Sequence, residues 1–215
     1  MNKSRAITIN VMAPLVVGDP KDINSGASQA AWQTFEQHLR DIKALGVEAV
    51  STDVWWGLVE PSEGNFDWSY YDHLSDVIIN AGLEWVPILS FHQCGGNIGD
   101  DVYVPLPGWI WSRLASIAGC SVRDLKYVSE QGNACDEYIS AWATQYALPF
   151  YQKVMTAFRN HFAAKAGQIA EVNISLGPAG ELRYPSYNSH DQNTDYPTRG
   201  ALQCYSRLAV QSFHD

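Results

Sequence analysis

Glu181 stands in the stretch GPAGELRYPSY, Gly177 to Tyr187, where Arg183 is the nearest charge. Partial burial would penalise its ionised form and keep it protonated near neutral pH. A carboxyl in that state can act as a general acid. Two residues apart on an extended segment, Glu181 and Arg183 also share a face, so an ion pair is equally compatible with the spacing. His92 opens a second stretch, HQCGGNIGD. There Gly95, Gly96 and Gly99, with Asn97, give a loop able to adopt unusual backbone angles and to close as a lid over a ligand. No lysine follows in the position a phosphate-cradling loop needs. His92 alone fits a structural or a functional histidine. Asp53, in STDVWWG, could accept hydroxyl hydrogen bonds beside the platforms of Trp55 and Trp56, or could cap a helix or a turn. Glu60 and Glu63, in LVEPSEGNF, could hold calcium, although a solvated turn is the simpler reading.

These residues need elements to position them. Ala6–Met12, Val47–Val54, Leu83–Phe91 and Ile169–Leu176 read as strands, nearly continuous in apolar residues. Ala30–Leu45 carries Trp32, Phe35, Leu39, Ile42 and Leu45 at helical spacing and stops at Gly46, a helix with a glycine cap. Tyr70–Ala81 repeats the pattern before Gly82. Ile139–Ala164 is a third helical stretch, with a break expected at Pro149, and Gly200–Phe213 is the last. Strands alternating with helices predict a parallel sheet with both faces covered. A dinucleotide fingerprint is missing after the first strand. Long polar loops leave the strand C-termini, where Asp53, His92 and Glu181 fall. That is where a (β/α)8 TIM-type barrel builds its site. Only about four of the eight βα units are present, so residues 1–215 read as a half-barrel.

The 215 residues are 46% hydrophobic and 17% charged, enough for one sizeable core. A net charge of -9 disfavours nucleic acid and anionic membrane surfaces, and leaves neutral ligands open. Eight Trp and eleven Tyr suit the apolar faces of sugar rings, though most aromatics serve the core. Cys94, Cys120, Cys135 and Cys204 have no metal-site or disulfide-framework spacing. Free thiols are expected, with a Cys120–Cys135 pair open in an oxidising compartment. The N-terminus MNKSRAITIN lacks a secretory core, and no apolar run spans a bilayer. The compartment expected is the cytoplasm, or the outside for a processed form.

The two long stretches, HQCGGNIGD and GPAGELRYPSY, closely resemble the signatures of the β-amylases, glycoside hydrolase family fourteen. VMAPL, TDVWWG and FDWSYYDHL are similar to that family too, in the family's order from about Ile7 to Phe213. Ile98 stands where valine is usual. The resemblance implies a (β/α)8 barrel that releases β-maltose from non-reducing ends of α-1,4-glucans with inversion and without a cofactor. It implies Glu181 as the catalytic acid, Asp53, His92 and Asp100 as holders of the terminal glucose units, Gly95 to Asp100 as the start of the lid, and Cys94 as a non-nucleophilic neighbour. Some members bind calcium through acids opposite Phe150 and Lys153 here, so no metal is expected. No residue matches the catalytic base, which the resemblance places in the second half of the barrel. The expected partners are an α-1,4-glucan or maltose and that missing half. A non-catalytic glucan-binding or sugar-sensing homologue is the alternative.

Overall fold

The computed structural model describes residues 8–96, 100–183, 191–192 and 201–214. Its elements run β1 (Asn10–Met12), α1 (Gly26–Ala44), β2 (Ala49–Trp55), α2 (Trp56–Val59), α3 (Ser69–Asn80), β3 (Glu84–Ser90), α4 (Gly108–Ala118), β4 (Tyr127–Val128), β5 (Ala134–Cys135), α5 (Thr144–His161), β6 (Asn173–Ile174) and α6 (Arg207–His214). The chain forms two compact units. The first is Met1–Val54, Asp67–Leu89 and Arg159–Ile174. The second is Trp55–Phe66, Ser90–Phe158 and Ser175–Asp215.

The sheet belongs to the first unit apart from the end residues of β2 and β3. Its order is β1-β2-β3-β6. Val11 lies opposite Val50 and Ile88 opposite Asn173, both in parallel register. Parallel strands in chain order with helices between them are the leading part of a (β/α) barrel, as the alternating pattern predicts. Ser25 caps α1, its hydroxyl accepting from the Ser28 N–H at 3.2 Å. The buried stripe Trp32, Phe35 and Leu39 is the periodicity seen in the sequence. Trp32 meets Tyr70 and His73 of α3 at centroid distances of 5.7 and 4.4 Å.

Trp85 of β3 is fully buried, and its indole N–H donates to the Thr52 hydroxyl at 2.7 Å. Phe162 stands edge-on to Trp85 at 5.0 Å and to Trp68 at 5.6 Å. His161 stacks on Trp68 and bonds Asp72 at 2.8 Å. Lys165 ties the same helix through Asp76 at 2.7 Å and the Ser75 hydroxyl at 2.8 Å. The end of the third helical stretch is thereby locked to α3.

Several expectations are revised. The span after β3 contains α4, begun after Pro107 and ended by Gly119 in the left-handed conformation, with Ile110 and Leu114 buried. Pro149 does not break α5. It lies early in the helix, where only a bond to Gln145 is forfeited. The expected strand Ile169–Leu176 shrinks to Asn173–Ile174 plus a bridge from Ile169 to Trp85. The outer strands are not covered on both faces: Met12 is 54% and Ile174 46% exposed.

In the second unit, Glu60 is no solvated turn residue. It is 1% exposed, accepting from the Trp56 indole N–H at 2.7 Å and the Gly64 N–H at 2.8 Å. Its carbonyl accepts from the Trp109 indole N–H at 2.9 Å. Glu63 instead pairs with Arg113 at 3.2 Å. Both carboxylates are thus committed to protein partners. β4 and β5 form an antiparallel hairpin. Buried Asp191 braces it, accepting from the Ser129 hydroxyl at 2.6 Å and the Asn133 amide at 2.7 Å. All four cysteines are free thiols, and burial pushes Cys135 up to about 11. Among the described residues, no helix is long and apolar enough to cross a membrane.

Candidate active site

β3 delivers Phe91 and His92 into the second unit, and the end of β6 delivers Ser175. The Phe91 N–H donates to the Ser175 hydroxyl at 2.8 Å, so the segments beyond the two strand ends are tied together. The buried His92 ring stands edge-on to Trp55, centroids 5.2 Å apart. Its other neighbour is the backbone of Gly180. A Cβ there would lie 3.1 Å from His92 Cε1, and the φ of +77° also favours glycine. Burial lowers His92 to about 4, so the ring is neutral at neutral pH. Its Nδ1 is buried with no hydrogen-bond partner among the described residues, an arrangement native interiors rarely keep without a role.

Glu181 follows Gly180 directly, so the fold brings His92 and the peptide of Glu181 together. The Glu181 side chain is 66% exposed, and its carboxylate accepts from Arg183 Nε at 2.6 Å. The ion pair allowed by the spacing is therefore formed, and the expected partial burial is not seen. The i, i+2 arrangement on extended chain brings the two groups to one face.

Cys94, Gly95 and Gly96, the first residues of the expected lid stretch, lie in the same unit. Cys94 and Val104 exchange backbone hydrogen bonds of 2.9 Å in both directions. A Cβ on Gly95 would come within 1.9 Å of the Val102 carbonyl oxygen, so no larger residue fits. Gly96 is exposed, and Asp100 lies beside Gly95. Asn97 and Gly99 lie outside the described residues. Asp53 is buried within β2 in the first unit, inside the strand and not at a turn. Trp56 follows in α2 and anchors an aromatic cluster with Phe91 at 5.7 Å and Tyr151 at 5.5 Å.

Against this geometry, the sequence model of Glycosyl hydrolase family 14 matches residues 10–215. The chain belongs to glycosyl hydrolase family 14. Among family-14 relatives, it is 42% identical to the thermophilic beta-amylase of Thermoanaerobacterium thermosulfurigenes over 185 residues, 86% of this chain and 32% of that one. It is 38% identical to the beta-amylase of Niallia circulans over 95% of this chain and 32% of the relative. It is 37% identical to chloroplastic beta-amylase 1 of Arabidopsis thaliana over 93% and 36%. The catalytic domain of the beta-amylase from Paenibacillus polymyxa superposes with a TM-score of 0.78 at 37% identity, covering 96% of this chain and 45% of that domain. This family-14 chain therefore spans about a third of the length of the curated relatives it matches.

One residue bonded to the segments that follow His92 and precede Glu181 was not singled out in the sequence. Glu137 follows β5, and its half-buried carboxylate accepts from the Ala179 N–H at 2.5 Å. Burial raises its pKa, against the Ala179 hydrogen bond and the Arg183 charge, while the nearby Glu181 adds to the rise. Its position on a loop between short elements carries no periodic or motif signal.

Proposed function

We propose that this chain carries the acid side of a β-amylase-type site, which hydrolyses α-1,4-glucosidic bonds and releases β-maltose from non-reducing ends with inversion. Glu181 is the general acid. Asp53, His92 and Asp100 hold the terminal glucose units, and the loop from Gly95 through Asn97 and Gly99 to Asp100 covers them. The observation that carries this reading is the seating of the neutral His92 ring against Gly180, immediately before Glu181. It sets an unpartnered ring nitrogen, fit to bond a sugar hydroxyl, beside the peptide that presents the carboxyl. No cofactor enters this chemistry.

Proton donation requires the Glu181–Arg183 contact to open, because the carboxyl oxygen must reach the leaving glycosidic oxygen. Inversion also needs a second carboxylate roughly 6.5–9.5 Å from the acid, with room for a water. We assign that base to the part of the barrel that these residues do not include. Residues 1–215 are accordingly the N-terminal half of a catalytic domain, and the other half is its partner.

Calorimetry on the purified chain with maltotetraose is expected to give binding, with no maltose released from starch. Pairing it with the second half of the Paenibacillus polymyxa catalytic domain is expected to restore release as the β anomer. Glu181→Gln should cut that release by about a hundredfold or more. Unaltered release by the Glu181→Gln variant, or no glucan binding at all, would overturn the proposal. A non-catalytic glucan-binding role is the second reading, favoured by the committed Glu181–Arg183 pair. Binding without turnover in the completed barrel would select it.

A further inference from the structure

The turn before Glu181 is strained. Ala179 has φ +53°, the one positive φ outside glycine among the described residues. In that region a Cβ crowds the following carbonyl oxygen, and such conformations persist where surrounding contacts over-determine them. Gly180 follows at φ +77°. Two successive left-handed residues reverse the chain between Pro178 and Glu181. Local bonds from the Gly180 N–H to the Gly177 carbonyl at 2.9 Å and from the Glu181 N–H to the Pro178 carbonyl at 3.1 Å close the turn. Neither engages the N–H of Ala179 itself.

That N–H goes to Glu137. The backbone of Glu137 reaches in another direction, its carbonyl accepting from the Gln93 N–H at 2.7 Å. One residue therefore binds the segment just after His92 through its main chain and the turn just before Glu181 through its side chain. We propose that Glu137 is a positioning residue for Glu181. It holds Ala179 in the left-handed conformation that seats Gly180 against His92, and so fixes the direction in which Glu181 leaves the turn. The assignment of a role to Glu181 rests on the proposed function. The clamp itself rests on the geometry.

A charge-assisted bond from a backbone N–H to a carboxylate weakens when the carboxylate is protonated. The turn should thus respond to pH through Glu137. The groups facing Glu137 are Arg183 and Glu181 on the segment that leaves the turn, with Asp136 and Cys135 beside it in sequence. Burial raises its pKa from the ordinary carboxylate value, and the Ala179 hydrogen bond and the Arg183 charge restrain that rise.

The test is amide NMR and hydrogen exchange on the 215-residue chain. In the parent protein the Ala179 N–H is expected to shift with pH, with Gly180 and the His92 ring moving at the same midpoint. Arg183→Gln should raise that midpoint. Glu137→Gln keeps an acceptor oxygen, so it should preserve most protection at Ala179 while abolishing the titration. Glu137→Ala should lower that protection about tenfold or more. The Trp85 indole N–H, bonded to Thr52 in the other unit, serves as the fold control. A pH-independent Ala179 N–H in the parent, a titration that survives in Glu137→Gln, or full protection in Glu137→Ala with the control intact would each overturn the clamp. In the completed, starch-active barrel, Glu137→Ala should lower kcat with KM little changed, and Glu137→Gln should retain most of the parent kcat. Failure of glucan binding by the parent would sink the functional reading and leave the amide result standing, so the two failures are distinct.

Discussion

His92 is the residue whose environment speaks most directly. An unfolded histidine takes up its proton near pH 6.5, whereas the buried ring resists until about 4. Between those values the unfolded state binds more protons, so stability falls as pH falls, and the loss levels off below about 4. That difference corresponds to an upper limit of roughly 3 kcal/mol. Urea titrations of the parent and of His92→Asn across that range should converge on acidification, because only the parent suffers this loss. Parallel curves would mean that the ring is solvated in solution. At the same scale, Glu60 illustrates the opposite fate of an acidic side chain. Its two oxygens accept from the buried Trp56 indole N–H and from the Gly64 N–H, a structural commitment that spacing could not distinguish from ion binding.

Among the elements, the start of the loop proposed as a lid is built by close backbone approach. Gly95 sits where any Cβ would meet the Val102 carbonyl oxygen. Gly95→Ala must therefore spread the pair of hydrogen bonds between Cys94 and Val104. Hydrogen exchange at those two amides should quicken, and on the proposed function the maltotetraose affinity of the chain should fall about tenfold, since the loop proposed to cover the ligand loses its anchored start. Unchanged exchange at Cys94 would show that the Cys94–Val104 pairing can absorb the methyl group. The α3 to Phe162–Lys165 contacts make a contrasting element. There, aromatic stacking and the His161–Asp72 and Lys165–Asp76 pairs fix a terminus without any glycine.

For the whole molecule, the outer strands decide behaviour in solution. β1 and β6 flank the sheet, and Ile9, Met12, Val172 and Ile174 on or beside them are exposed. Apolar residues on open strand edges promote association of chains. Sedimentation velocity should find mass increasing with concentration, and Ile174→Lys with Met12→Lys should shift the chain toward the monomer. A monomer at all concentrations, melting cooperatively, would overturn this expectation. Closure by the remainder of a barrel would cover the same residues.

The alternation of strand and helix was legible from periodicity, because burying one stripe of a helix or both faces of a strand dictates which positions are apolar. Trp32, Phe35 and Leu39 on α1 and the apolar run of β3 are examples. The signatures around His92 and Glu181 were legible because glycines and rare residues at fixed spacing record local backbone demands, as at Gly95 and Gly180. The sequence could not choose between proton donor and ion pair for Glu181, place Glu60 indoors, or connect Glu137 to Ala179, 42 residues away. Those outcomes depend on desolvation and on contacts between distant segments, which exist only once the chain has folded.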